Sequence, residues 1–187
     1  MIDQALSFIT KELNQFVKQK LDIDHAIVEL SGIPATHSLA KLHVTLVSLE
    51  EESYIKNQQS MGYGKQGLSK REAPLYINLH FLVSVSHNTP YVEGLKYLSI
   101  AMQFFQRCPI ISRPTYVLPE GINKLTFELY NLNFEDQQNL WKSLGTSYQP
   151  SVLYKTRMLE IDGVGQKKIP QIKESSLNVV NDETKPN

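Results

Sequence analysis

The sequence predicts an α+β fold, a single mixed, largely antiparallel sheet with about three helices packed on it. Three observations carry this. Leu75 to Val85 alternates apolar and mixed residues at strict period two, the signature of a strand with one well-buried face. Ile2, Leu6, Ile9, Leu13, Phe16 and Val17 recur at spacings of three and four, which puts them on one face of an amphipathic helix. The two periods then interleave along the chain as helix, strands, helix, strand, helix, strand.

Taken in order, the first helix runs from Ile2 to Lys20. Ala26 to Leu30 reads as a short strand, ended by Gly32 and Pro34. Leu42 to Leu49 is rich in β-branched and apolar residues and reads as a longer strand, stopping at the charged run Glu50, Glu51 and Glu52. Tyr54 to Pro74 has no sustained apolar period and carries Gly62, Gly64 and Gly67, so it reads as a long flexible loop that either has a task of its own or is a disordered surface loop with no partner. After the Leu75–Val85 strand, Thr89 and Pro90 supply an N-cap and a first-turn proline for a second helix. That helix is expected to turn Val92, Leu95, Leu98, Met102 and Phe105 toward the sheet and to stop at Cys108 and Pro109. A proline-interrupted stretch, Ile110 to Pro119, leads to a Glu120–Gly121 turn. Leu125, Phe127 and Leu129 alternate in another strand. Asn133 caps a third helix with Glu135 and Asp136 in its first turn, where the helix dipole favours negative charge. Leu140, Trp141 and Leu144 form its apolar side, Gly145 ends it, and Val152 to Ile161 is the last strand. Residues 1–161 thus read as one domain, followed by a polar, flexible C-terminal tail at 162–187.

Composition narrows the functional classes. A chain of 187 residues with 41% apolar and 20% charged residues can bury a real core. Nineteen basic residues balance nineteen acidic ones, so the cationic excess of a nucleic-acid binder is missing. Near-zero charge also leaves little self-repulsion against subunit association. The first helix is too polar for a signal peptide, and no apolar run approaches the ~20 residues of a membrane span. The expectation is a protein made in the cytoplasm, with no direct membrane insertion and no nucleic-acid partner. Cys108 is the only cysteine, which excludes an intrachain disulfide.

Candidate chemistry is sparse. Gly62 to Gly67 matches the glycine pattern of a dinucleotide-binding turn, but that motif needs a strand entering and a helix leaving so that the dipole meets the pyrophosphate. Here polar residues precede it and a strand follows. His25, His37, His43, His80 and His87 include no pair at zinc-enzyme spacing. His43 and His80 are the pair that strand pairing would bring closest, and a hydrogen-bonded structural role suits both. No nucleophile elbow is present, and Cys108 before a proline favours packing over reactivity. Glu50 to Glu52 alternate faces along a strand end. Trp141 reads as core ahead of an interface anchor. No catalytic, cofactor or metal residue emerges, so neither an enzyme nor a cofactor is expected.

Four stretches resemble one family: Met1–Leu6 with Leu13 and Asn14; Pro74–Leu79; Leu95–Leu98 through Phe104–Gln106; and, in order, Leu118–Ile122, Leu125–Leu129, Leu140–Trp141, Leu144–Gly145, Pro150–Lys155 and Arg157–Leu159. Together they are similar to the N-terminal domain of cap proteins of extracellular contractile injection systems, phage-tail-like particles. The resemblance implies a tail terminator that forms a sixfold ring on the distal end of the inner tube, halts its growth and ties tube to sheath. Its implied partners are copies of itself, the inner tube protein, the sheath protein and other cap paralogues, in an extracellular or membrane-anchored particle. A baseplate or sheath adaptor of the same particle is the alternative, with a small nucleotide-binding enzyme behind it. A ring subunit needs two different patches, and Lys65, Lys70 and Arg71 in the 54–74 loop are the candidate partner contacts, as cations facing acidic tube or sheath residues.

Overall fold

The computed structural model of the chain describes residues 1–33, 38–52 and 75–161. Helix α1 (Ile2–Leu21) is followed by strands β1 (Val28–Leu30), β2 (Leu42–Glu51) and β3 (Leu75–Val85) and by helix α2 (Tyr91–Arg107). Strands β4 (Ile110–Ser112) and β5 (Lys124–Leu129), helix α3 (Phe134–Ser143) and strand β6 (Ser151–Ile161) complete the order. The strands form one sheet, β1-β2-β3-β6-β5-β4. β1 lies parallel to β2 and every other neighbouring pair is antiparallel, so the sheet is mixed and mostly antiparallel, as expected for the predicted α+β class.

The main core lies between one face of the sheet and helices α1 and α2. Ala5, Leu6, Ile9, Leu13 and Val17 of α1 and Leu98, Ala101, Phe104 and Phe105 of α2 meet Leu42 and Val44 of β2 and Leu79, Phe81, Val83 and Val85 of β3. Phe81 sits at its centre with no exposed surface. Its ring lies 5.7 Å from Phe105, 6.3 Å edge-on to Phe127 and 5.9 Å from Tyr154, within the range where aromatic pairs add to simple burial. Desolvation in this cluster pushes the Tyr154 phenol up to about 12. Asn14 of α1 fastens the sheet margin: its Oδ1 accepts from the amides of Ile27 at 3.0 Å and Val28 at 3.3 Å.

Helix α3 packs on the opposite face. Trp141 is buried against Leu82 of β3 and Leu153 of β6, with Val47, Leu132, Leu140 and Leu144 around them, so it is core as the sequence suggested. The expected ends of α3 are present. Asn133 Oδ1 accepts from the Asp136 amide at 2.8 Å, and Gly145 follows at φ 69°, a left-handed conformation that suits glycine. The Glu120–Gly121 turn is also found, closed by Ile122 N–H to Pro119 O at 3.1 Å with Gly121 at φ 82°.

Four local expectations need correction. In α2, Val92, Leu95 and Met102 are exposed, while Gly94, Leu98, Ile100, Ala101, Phe104 and Phe105 are buried. The helix is rolled because Gly94 is set against Val85, so closely that a Cβ there would meet Val85 Cγ2 at 3.3 Å and Cγ1 closer still. Thr89 does not cap α2. Pro90 holds that position, and Thr89 Oγ1 turns to the Lys41 carbonyl at 3.5 Å. β2 runs on through Glu50 and Glu51, because pairing with Asn78 and Ile77 supports it there. Ile110 to Ser112, read as an irregular stretch, is strand β4, formed by its pairing with Lys124–Thr126.

Candidate interaction surface

Beyond α3, its side of the sheet becomes polar. The antiparallel registers set Glu50 opposite Asn78, Ser48 opposite His80 and His80 opposite Lys155. Glu50 Oε2 accepts from Lys155 Nζ at 2.6 Å and lies 3.8 Å from His80 Nε2. Glu128 of β5 pairs with Arg157 of β6 at 2.8 Å, and Glu52 accepts from Asn78 Nδ2 at 2.8 Å. The Lys155 hydrogen bond holds the Glu50 carboxyl below its usual range. Burial, seconded by Lys155, pushes His80 down against the pull of Glu50. The His80 ring rests edge-on to Tyr130 at 5.0 Å. This is a charge-paired surface.

The remaining candidate residues separate rather than converge. β2 and β3 do pair, but in antiparallel register His43 faces Ser84 while His80 faces Ser48, so the two histidines stand several residues apart. His43 is buried, bonded through Nδ1 to Ser31 Oγ at 2.9 Å, and burial pushes its pKa down despite nearby Glu29. His87 links Thr146 at 2.8 Å and Gln149 at 2.9 Å. Cys108 Sγ lies 3.5 Å from the Tyr116 hydroxyl. Among the described residues no three His, Cys, Asp or Glu side chains are grouped to hold a metal ion. The glycine pattern at 62–67, His37 and the candidate contacts Lys65, Lys70 and Arg71 lie outside the described residues.

Two margins of the molecule carry features the sequence did not suggest. Among the described residues β1 flanks Leu42–Val44 of β2 and no strand flanks the rest of that edge, and next to that stretch an open groove of about 810 Å³ is lined by Met1, Ile2, Leu6, Leu30, Gly32 and Leu46. At the other margin Val117, on the loop after β4, is 97% exposed. Neither could be found by local pattern, since a groove between α1, β1 and β2 exists only once the sheet is ordered.

Comparison with known proteins places this architecture. No curated protein sequence matches the chain. Among solved structures, the cap of the anti-feeding prophage, described as its tube-terminating cap, is similar over 91% of this chain and 60% of its own, with a TM-score of 0.59 at 14% identity. The sheath/tube terminator of an extracellular contractile injection system, solved in its extended state, is similar over 95% of this chain and 65% of its own, with a TM-score of 0.51 at 12% identity. At these identities the likeness is one of fold, and the chain spans less than two thirds of either relative. The sequence profile of the Pvc16 N-terminal domain matches residues 5–174, so the chain belongs to the Pvc16 N-terminal domain family.

Proposed function

We propose that the chain is a structural cap, or tail terminator, which ends the inner tube and joins tube to sheath at the distal end of a contractile injection system. The observation that carries this reading is the family match across residues 5–174. The fold shared with a tube-terminating cap supports it. In this reading the subunit works by contact and not by bond-making, with a surface that carries the ion pairs Glu50–Lys155 and Arg157–Glu128. In this reading copies form a sixfold ring, assembled in the cytoplasm, with one side matched to the last tube ring and the other unable to accept a further one. Tube, sheath and other cap paralogues are its partners, and Lys65, Lys70 and Arg71 supply cationic contacts from the 54–74 segment.

The test is made on whole particles. Removing the chain from a producing strain should give inner tubes of irregular length and sheaths that separate from them under negative-stain microscopy. Tubes of normal, uniform length would overturn the terminator role, and a labelled subunit found at the baseplate would move it to the other end. Deleting Gly62–Ser69 should reproduce part of the defect, and unchanged tube lengths would remove the loop from the contact.

A further inference from the structure

Resting on the ring reading above, we infer that neighbouring copies join head to tail through the two margins of the sheet. The β4 edge and following loop of one copy lie along the uncovered edge of β2 in the next. The first observation is how little of β2 its neighbour covers. β1 ends opposite Val44, Ser31 N–H still reaches the Val44 carbonyl at 3.1 Å, and past Thr45 no strand of the described residues flanks that side. Strand geometry turns every second amide and carbonyl of Leu46–Glu50 outward, and an extended backbone is what satisfies such a row. The groove beside it, lined by Leu6, Leu30 and Leu46 together with Asp3, Ser31 and Thr45, accepts an apolar side chain with a polar rim beside it.

The opposite margin supplies both parts. β4 is the last strand of the sheet. Val117 follows it on a loop whose flanking residues are anchored: Tyr116 packs edge-on to Phe8 at 6.5 Å, and Leu118 is buried. A valine held out at 97% exposure between two fixed neighbours is an apolar knob without a local hole.

Direction and charge agree. Four antiparallel steps, β2 to β3 to β6 to β5 to β4, give β4 the same sense in the ladder as β2, turned from it by a twist of about 20–25° per strand. A copy docked so that this twist continues from its β4 into β2 of the next pairs in parallel, as β1 already does, and a head-to-tail contact of this kind repeats until it closes a ring. Residues 45–52 carry Glu50, Glu51 and Glu52 and no Lys or Arg, with Glu50 balanced by Lys155 across the sheet, whereas 107–124 carry Arg107, Arg113 and Lys124 against Glu120. Unlike margins attract and like margins repel, which favours the head-to-tail joint over a symmetric pair.

Disulfide trapping tests the joint. On a Cys108→Ser background, Gly32→Cys places a thiol in the groove and Val117→Cys places one on the knob. An added Cβ at Gly32 meets nothing within 4 Å, and Val117 touches solvent, so both variants keep the fold, which circular dichroism checks. Oxidation of the purified double variant should give a ladder of dimers, trimers and higher species on a non-reducing gel. An equimolar mixture of the single variants should stop at the dimer, and either single variant alone should stay monomeric. No ladder, or as much dimer from Val117→Cys alone as from the mixture, overturns the joint. Tube length scored on particles decides the terminator role separately, so normal tubes without a ladder remove this contact and leave that role standing.

Discussion

The two faces of the sheet are built on opposite plans. The face under α1 and α2 is dry and aromatic, with Phe81, Phe105, Phe127 and Tyr154 in mutual contact. The face under α3 has a small apolar centre of Leu82, Trp141 and Leu153 and then opens into ion pairs at Glu50, Lys155, Glu128 and Arg157. Burial contributes about 25 cal/mol per Å² of apolar surface, while an exposed ion pair contributes a median near 0–1 kcal/mol. Stability therefore resides on the first face, and the second is free to vary its charges without risk to the fold.

The largest test of the contrast is Phe81→Ala, which removes a ring with no exposed surface and should cost about 3–5 kcal/mol in chemical denaturation. A cost below about 1 kcal/mol would mean the core is not centred there. Next comes Asn14→Ala. The amides of buried Ile27 and Val28 lose their acceptor, and each unsatisfied group costs about 1–3 kcal/mol, lessened by the better helix propensity of alanine. Faster amide exchange confined to Ile27 and Val28 would confirm the cause. Gly94→Ala tests the close approach of α2 to β3. Alanine favours a helix by about 0.8–1.0 kcal/mol over glycine, yet the new methyl must displace Val85, and overpacking costs about 1–3 kcal/mol. The variant should be net destabilised, and Val85→Ala in the same chain should recover part of the loss. A stabilised single variant would show that the helix stands further off.

What was legible in the sequence follows the range of the forces involved. Asn133, Gly121 and Gly145 act within a few residues of themselves, so that cap and those turns were readable, whereas the cap expected at Thr89 was not found, its hydroxyl turning to the distant Lys41 carbonyl. Period two in Leu75–Val85 and period 3.6 in α1 report burial that a whole element shares. The roll of α2 was not readable, because large apolar side chains mark Val92, Leu95 and Met102 as inward while a single glycine against Val85 sets the contact. β4 was missed because three residues between Pro109 and Pro114 form a strand only when Lys124–Thr126 arrive beside them. The polar network was out of reach for the same reason, since Lys155 and Glu50 stand 105 positions apart. The groove and the exposed Val117 belong to the same class, as products of sheet order that leave no local trace.

The smallest effect is expected on the charged face. In Lys155→Met the ammonium that hydrogen-bonds Glu50 is lost, and the loss at neutral pH should be within about 1 kcal/mol, as for exposed pairs generally. Its signature is in the pH profile. Lys155 holds the folded-state Glu50 carboxyl below its ordinary 4.5, so the pair contributes stability that is fully present above that value and fades as pH falls through the depressed one. The variant should therefore differ from the parent at neutral pH and converge with it under acid conditions. His80 gives an opposing term, because Lys155 helps to depress its pKa. A histidine kept neutral in the fold loses stability as pH falls below the ordinary 6.5, and removing Lys155 should soften that loss. Midpoints measured from neutral to acid pH separate the two windows. A gap between variant and parent that stays constant across both would show that the loss is of packing by the lysine stem and not of charge.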